Sequence, residues 1–555
     1  MTDRRALVPV PLARGSHGAV VAPHHLATAA GLGVLRQGGS AVDAAIATNA
    51  MLAVVVPGSC GIGGDAFWLI WDAAAGRQVA LNGSGRSAAA AEAARVRAAG
   101  HRRMPIRGPL SITVPGAVRS WGDAHARYGR LSRDAILGPA IEQARDGFAA
   151  SDEFIAEVEA MAPIARESAG RDGGFDAVFR SEGRAWRQGE RVRLPALATT
   201  LETLVREGFD AFYEGDLGER QAAALVGAGS PITADDLRSH TSTWGEPIDL
   251  HYRDVRVTTH PPNSSGIVAL EILGILRQFE PPARSRFGPH GVDDARWIHL
   301  GIEAAKLALA DRDAHLTDPE ARAVPVAELL DPDRLVALAA GIDRERASRP
   351  LPATNPPGGG TIYLATVDAM GNAVSLIESN WAGFGSGVVD PATGIHYQNR
   401  GGYFSLDPGH ANVLAPRKRT LHTLLPGMLF RDGQPGPWIV VGARGGDAQP
   451  QIHAQFVSAV VDGALDIATA VAAPRWFVGP PELLAPATEV SLEPRHAPGI
   501  ADSLRSAGHD LVPTRAFDSG LGHEHAIELV DGGPAAGGSL AATTDPRSEG
   551  LPAVW

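Results

Sequence analysis

Alternating apolar and polar positions are clearest over 361–367, which reads Thr-Ile-Tyr-Leu-Ala-Thr-Val. A period of two with β-branched and aromatic residues predicts a half-buried strand. A polar turn at 368–372 separates it from a second apolar run at 373–379, so the segment predicts a β-hairpin. Two prolines and three glycines at 355–360 predict an exposed, mobile tether. Thr361 is therefore expected where this tether meets a sheet.

Helical and strand patterns alternate through the rest of the chain and predict a mixed α and β fold. Ser40 and Asp43 form a sequence typical of an N-terminal capping box ahead of an alanine-rich helix. The predicted helices are 40–56, 139–148, 197–208, 267–279, 294–315 and about 450–461. The predicted strands are 66–72, 78–84, 251–260, 489–492 and 525–531.

Composition narrows the class of protein. The chain has 555 residues, 44% apolar and 20% charged, which is typical of a globular protein with ample material for a core. Its net charge of -12 argues against nucleic-acid and anionic-membrane partners. Cys60 is the only cysteine, which excludes an intrachain disulfide and a cysteine-rich metal site. The N-terminal sequence has no apolar stretch of signal-peptide length, and this predicts a cytoplasmic location.

A cut between Gly360 and Thr361 would give the threonine a free α-amine beside its hydroxyl. A hydroxyl needs an adjacent base to act as a nucleophile, and an α-amine with a pKa near ~8 can serve. Taken alone, the Gly-Gly-Gly-Thr sequence is more commonly a linker before a strand.

A buried-type strand at 437–444 runs into Gly445 and Gly446, whose NH groups could hold an oxyanion ahead of a helix. A tight strand-to-helix turn is the alternative for these glycines.

Several separated strings then carry a family resemblance. In chain order they are GSAVDAAIATNAMLAVVVPGSCGIGGDAF, SITVPGAV, PAIEQARDGF, ITADDL, PPNSSG, EAAKLALADR, TIYLATVDAMGNAVSLIESNWAGFGSGVV, GARGGDAQPQ and DPRS. Together they resemble a gamma-glutamyltransferase (glutathione hydrolase) family proenzyme over nearly the whole chain. The resemblance implies an α+β N-terminal nucleophile hydrolase fold, a four-layer αββα sandwich with two antiparallel sheets. It also implies self-cleavage into fragments 1–360 and 361–555, which form one domain and a heterodimer, with further oligomerisation left open.

Site residues follow from the same resemblance. Thr361 would be the nucleophile with its amine as base, Ser379 would orient it, and Gly445 and Gly446 would form the oxyanion hole. The residues expected to bind substrate are His422, Thr423, Tyr403, Asn399 and Arg86. His523 and His525 lack an accompanying ligand cluster, so neither a metal nor another cofactor is predicted.

Three positions depart from the family pattern. Ser84 stands in place of the arginine that holds the substrate α-carboxylate, Tyr403 replaces the acidic residue that takes the α-amine, and Trp381 replaces an asparagine. Arg86 or Arg400 remains available to hold an anion near the nucleophile. The strings QNRGGYFSLDPG and KRTLHTLLPG are most similar to the glutathione hydrolase-like and oxamate amidohydrolase-like subgroup.

The predicted function is thus a self-processing threonine amidohydrolase or acyltransferase. Its predicted partner is a small amide bearing a gamma-glutamyl or related carboxylate-bearing acyl group. An oxamate-type or glutaryl-type amidohydrolase without gamma-glutamyl specificity is one alternative. A non-catalytic binding protein with the same fold is an alternative of another class.

Overall fold

A computed structural model describes residues 10–169, 174–348, 360–479 and 489–555. Its strands are β1 (Leu12–Gly15), β2 (Ala19–Val21), β3 (Asp65–Asp72), β4 (Arg77–Gly83), β5 (Phe148–Ala149), β6 (Arg191–Val192), β7 (Thr243–Gly245), β8 (Ile248–Tyr252), β9 (Val255–Thr259), β10 (Phe287–Gly288), β11 (Gly291–Val292), β12 (Gly360–Val367), β13 (Ala373–Trp381), β14 (Val389–Asp390), β15 (Ile395–His396), β16 (Gly427–Arg431), β17 (Ile439–Ala443), β18 (Trp476–Val478), β19 (Val490–Leu492), β20 (Leu511–Pro513), β21 (Glu524–Val530), β22 (Ser539–Thr543) and β23 (Ala553–Val554).

The α-helices follow the same chain order. They are α1 (His25–Arg36), α2 (Ala41–Val55), α3 (Ala93–Ala98), α4 (Ala117–Tyr128), α5 (Arg133–Asp146), α6 (Asp152–Ser168), α7 (Phe175–Phe179), α8 (Pro195–Glu207), α9 (Gly215–Gly227), α10 (Ala234–Arg238), α11 (Gly266–Leu276), α12 (Ala295–His315), α13 (Val326–Leu329), α14 (Pro332–Ala340), α15 (Gln449–Val461), α16 (Ile467–Ala472) and α17 (Ile500–Ser506). Among these helices, none combines the length and hydrophobicity needed to cross a bilayer.

Two seven-stranded antiparallel sheets lie face to face at the centre. The first has the order β23-β2-β12-β13-β3-β4-β7, and the second has the order β1-β22-β21-β17-β16-β9-β8. A layer of buried side chains between the sheets joins them, and it includes Phe67, Tyr363, Ile377, Met428, Val440 and Ile527. Helices α1, α2 and α4 lie against the outer face of the first sheet, and α11, α15 and α16 lie against that of the second, while α5 and α12 pack on these helices. The predicted αββα sandwich is confirmed.

The β12–β13 hairpin lies in the middle of the first sheet, as its sequence pattern predicts. Every residue of β12 is buried, however, so the prediction of a half-buried strand is wrong. The cause is that α2 covers one face of the strand while the second sheet covers the other. The predicted capping box of α2 is confirmed, since Ser40 and Asp43 exchange both hydrogen bonds.

Two other expectations need correction. The single strand predicted at 251–260 is a hairpin of β8 and β9, because the chain turns at Arg253, whose φ is 57°. The helix predicted from Pro139 begins earlier, at Arg133, and Pro139 lies inside it. Of the predicted tether, 355–359 lies outside the described residues. Gly360 is buried and is the first residue of β12, so it is not exposed.

Candidate active site

Three neighbouring strands place Thr361, Ser379 and Asp65 in one row across the first sheet. Thr361 pairs with Ser379, and Ser379 pairs with Asp65. Alternate residues of a strand share a face. All three therefore point to the inner side, where Phe67 and Tyr363 of the same strands pack against the second sheet. The row lies at one end of the buried layer between the sheets.

The pairing of β12 with β13 is irregular at the start of this row. Gly360 pairs with Trp381 while Thr361 pairs with Ser379, so Asn380 is an extra residue in β13. A β-bulge of this kind bends the strand and redirects the groups beside it. Here it leaves the Ser379 hydroxyl 2.6 Å from the carbonyl oxygen of Gly360.

The Ser379 hydroxyl is the centre of a dense hydrogen-bond network. It donates to the Gly360 carbonyl, and its oxygen lies 2.9 Å from Thr361 Oγ1. The backbone NH of Trp381 and an Nη of Arg400 donate to it at 2.7 and 3.0 Å. The Ser379 hydroxyl thus contacts both the Thr361 hydroxyl and the carbonyl of the residue before it.

Arg400 is a buried cation, with 1% of its surface exposed. One Nη donates to Ser379 Oγ and the other donates to Thr423 Oγ1 at 3.1 Å. Within the described residues, the Nε of Arg400 has no hydrogen-bond partner, and no carboxylate forms an ion pair with the guanidinium. Burial lowers the pKa of Arg400 to about 10, so it stays protonated at neutral pH. Of the two arginines considered from the sequence, this one lies at the Thr361–Ser379 pair.

His422 and Asp65 form a second buried pair beside this arginine. His422 Nε2 lies 3.2 Å from Asp65 Oδ2. Burial, together with the charge of Arg400, lowers the pKa of His422 well below its ordinary value, so the imidazole is neutral and shares one hydrogen bond with the carboxyl group. Burial raises the pKa of Asp65 to about 7, with Arg400 opposing this shift. Thr423, predicted with His422, contacts Arg400 directly.

Two residues predicted to bind substrate make their contacts elsewhere. Arg86 forms an ion pair with Glu320 at 2.7 Å, and the structure does not bring it to the Thr361–Ser379 pair. Asn399 accepts from the NH of Ala382 at 3.1 Å and donates to the carbonyl of Ile106 at 2.6 Å. Its amide therefore holds the segment after β13 in place, since both of its polar atoms have backbone partners.

Tyr403 also differs from its predicted role. Its hydroxyl donates to Asp447 Oδ1 at 3.0 Å, and its ring packs on Trp381 with centroids 4.2 Å apart. Burial raises the pKa of Tyr403 well above its ordinary value, so the hydroxyl keeps its proton. The Tyr403 hydroxyl is thus hydrogen-bonded to Asp447, the residue after Gly446, instead of facing a ligand.

Gly445 and Gly446 connect β17 to α15. Their φ angles are 153° and 55°, a region that favours glycine. Among the described residues, no acceptor occupies the backbone NH of either glycine. With its amide nitrogen facing them, Gln449 bridges the carbonyls of Thr423 at 2.9 Å and Ala443 at 3.3 Å, which ties this loop to the Arg400 site. The two glycine NH groups, which have no acceptor among the described residues, agree with the predicted oxyanion hole.

The serines of the PPNSSG string have structural roles. Ser264 Oγ donates to the carbonyl of Leu424 at 2.6 Å, and Ser265 Oγ donates to that of His422 at 2.7 Å. They fix the backbone that carries His422 and Thr423. His525 lies buried in β21, in agreement with the predicted sheet role.

The buried sandwich and its central strand, which begins with a glycine and a hydroxyl residue, define an N-terminal nucleophile hydrolase. A family model described as Gamma-glutamyltranspeptidase matches residues 27–555. The chain belongs to the gamma-glutamyltranspeptidase family. This confirms the predicted family and fold class.

Similar proteins agree with this assignment. An oxamate amidohydrolase proenzyme of Klebsiella pneumoniae is 39% identical over 97% of this chain and 99% of its own. A glutathione hydrolase-like YwrD proenzyme of Bacillus subtilis is 37% identical over 97% of this chain and 98% of its own. The solved structure of a cephalosporin acylase from Bacillus halodurans, 36% identical, superposes with a TM-score of 0.89 over 100% of this chain and 99% of its own. The predicted enzyme class, a self-processing amidohydrolase or acyltransferase, is confirmed.

Proposed function

We propose that the chain cuts itself between Gly360 and Thr361 and then uses Thr361 to hydrolyse or transfer the acyl group of a small amide that carries a carboxylate. The products of the cut, 1–360 and 361–555, stay together as a heterodimer. The observation that carries the substrate assignment is Arg400, a buried guanidinium in contact with Ser379 and without an acidic partner among the described residues. The cytoplasmic location stays a prediction.

Self-cleavage begins with attack of Thr361 Oγ1 on the Gly360 carbonyl carbon. The Ser379 hydroxyl already donates a hydrogen bond to the Gly360 carbonyl oxygen, and it stabilises the negative charge that develops on this oxygen. The C–N bond breaks, the nitrogen takes the hydroxyl proton and becomes the α-amine, and an ester links Gly360 to Thr361. Water then hydrolyses this ester, which leaves a carboxylate on Gly360 and restores the threonine hydroxyl.

Turnover repeats the same chemistry on a substrate amide. The α-amine of Thr361 accepts the hydroxyl proton while Oγ1 attacks the amide carbonyl. The NH groups of Gly445 and Gly446 hold the oxyanion, and the departing amine takes the proton. The resulting acyl ester on Thr361 is released by water or by an acceptor amine.

The contacts around Arg400 favour acyl groups with a carboxylate and no α-amine. Tyr403 is neutral and bonded to Asp447, so it offers no charge to an ammonium group. Both oxygens of Asp65 are already engaged, one by His422 and one by the NH of Gly85. A buried guanidinium that has no ion-pair partner among the residues the structure describes gains most from a carboxylate, because charge-assisted hydrogen bonds are about twice as strong as neutral ones. Oxamate-type and glutaryl-type amides fit this description, and the Klebsiella relative is named for oxamate.

The experiment compares substrates that differ in one group. Processed protein is assayed with glutaryl, gamma-glutamyl and pentanoyl anilides, with oxamate and glutathione alongside. We expect kcat/KM to be highest for compounds with the carboxylate and without the α-amine. A strong preference for the gamma-glutamyl compounds would contradict this assignment and favour ordinary gamma-glutamyl transfer. A processed protein that cleaves none of them would support the non-catalytic alternative.

A further inference from the structure

Gly445 and Gly446 have no side chains that could fix the direction of their own NH groups. Glycine is the most conformationally free residue, so two adjacent glycines do not fix the direction of their NH groups. An oxyanion hole works because its donors are already aimed before the reaction. The residues on either side, Arg444 and Asp447, are charged and yet 8% and 9% exposed.

Asp447 is held by two donors from different parts of the chain. Its Oδ1 accepts from Arg312 Nη1 at 2.9 Å and from the Tyr403 hydroxyl at 3.0 Å. Burial alone would lower the pKa of Arg312, but the carboxylates of Asp313 and Asp447 outweigh it and raise the pKa. Arg312 is therefore a permanent cation, and it belongs to α12 in the 1–360 part of the chain.

Arg444 is held in a similar way on the other side of the glycines. One Nη donates to Ser59 Oγ at 3.1 Å and to Glu153 Oε1 at 3.3 Å, and the other donates to Ser519 Oγ at 3.3 Å. Gly445 and Gly446 thus lie between two buried, charged residues, Arg444 and Asp447. Each of these two residues contacts side chains from both sides of the Gly360–Thr361 bond.

We infer that Arg312, Asp447 and Tyr403 act as positioning residues that aim the NH groups of Gly445 and Gly446 during turnover. This inference rests on the proposed function of that glycine pair. It also assigns Tyr403 to the oxyanion loop instead of to the substrate. The three residues should matter little for self-cleavage, because the Gly360 carbonyl already accepts from Ser379.

The test separates turnover from folding and self-cleavage. Asp447→Ala removes both contacts, whereas Asp447→Asn keeps an acceptor oxygen. We expect both variants to cut themselves, and kcat to fall roughly 10- to 100-fold for Asp447→Ala and less for Asp447→Asn, with KM within about twofold of wild type. Tyr403→Phe, which deletes only the hydroxyl, should lower kcat in the same direction by a smaller factor.

Asp313→Asn is the matched control, since Asp313 contacts the same Arg312 without touching the loop. It should leave kcat within about twofold. Processed Asp447→Ala with a wild-type kcat, or with an altered KM alone, would overturn the inference. If Asp447→Ala does not fold, Tyr403→Phe is the deciding variant, and an unchanged kcat in Tyr403→Phe would also overturn the inference. Inactivity of the wild-type protein toward every amide would instead count against the proposed function.

Discussion

The Ser379 hydroxyl donates to the carbonyl oxygen of Gly360 across 2.6 Å, so it contacts the peptide bond that we propose is cut. The same hydroxyl lies 2.9 Å from Thr361 Oγ1. One oxygen thus contacts both the hydroxyl that we propose attacks and the carbonyl that we propose it attacks. This arrangement predicts that self-cleavage depends on Thr361 and Ser379 more than on Gly445 and Gly446, because the Gly360 carbonyl already accepts from Ser379.

The first prediction concerns the nucleophile. Thr361→Ala should remain a single chain on a denaturing gel, whereas wild type gives fragments 1–360 and 361–555, because only a side chain with a nucleophilic oxygen can form the ester. Thr361→Ser, which keeps the hydroxyl, should still be cut. Mass spectrometry of the fragments identifies the bond. Cutting of Thr361→Ala at the same bond would show that another group attacks.

The second prediction concerns the donor. Ser379→Ala should slow self-cleavage by roughly a hundredfold, the usual effect of removing one donor to a developing oxyanion. The control is Ser375→Ala on the same face of β13, where the hydroxyl lies 2.9 Å from that of Tyr363. Time courses of band conversion for freshly folded protein supply the measurement. Equal rates for the two variants would remove Ser379 from the mechanism.

The third prediction separates the two oxyanion sites. Gly446→Ala should lower turnover by roughly a hundredfold or more, because its φ of 55° strains any side chain and shifts the NH. Self-cleavage should persist. Gly433→Ala is the control, since its φ is 80° and a Cβ there meets open space. Near-normal kcat in processed Gly446→Ala would place the oxyanion hole elsewhere.

The fourth prediction concerns substrate charge. Wild type should prefer glutaryl anilide over pentanoyl anilide, and Arg400→Gln should abolish most of that preference, because the two substrates differ only in the carboxylate. Arg86→Gln should keep it, since Arg86 is paired with Glu320. The ratio of kcat/KM values for processed protein is the quantity to compare. A preference retained in Arg400→Gln and lost in Arg86→Gln would reverse the assignment.

The fifth prediction concerns pH. Burial raises the pKa of Asp65 to about 7, so this group is neutral below that pH and becomes an anion near Arg400 above it. Arg400 keeps its charge until pH approaches 10. The new negative charge beside the site repels the substrate carboxylate and weakens the net attraction of Arg400 for it, so KM for glutaryl anilide should rise as pH increases through 7. Asp65→Asn should flatten this rise. A rise that is identical in Asp65→Asn must come from another group.

Sequence patterns predicted the parts of the site that depend on local structure. The hairpin that pairs Thr361 with Ser379 is visible because its turn and alternation lie within twenty residues. The contacts of Asp447 with Arg312 and Tyr403 are not visible, since they join segments far apart in sequence. The choice of Arg400 over Arg86 likewise required the positions of the acidic side chains, because Glu320 pairs with Arg86 and no carboxylate in the described part of the chain pairs with Arg400.

The order of strands determines how the 1–360 and 361–555 parts of the chain are held together. In the first sheet, β12 and β13 lie between β2 and β3, and in the second, β22, β21, β17 and β16 lie between β1 and β9. The central strands of both sheets thus come from 361–555 and their neighbours on each side from 1–360. Pulling the fragments apart would expose unpaired strand edges on both partners, the kind of edge that recruits other chains. A cut at the proposed bond would therefore leave two polypeptides that cannot separate without breaking strand pairing in both sheets.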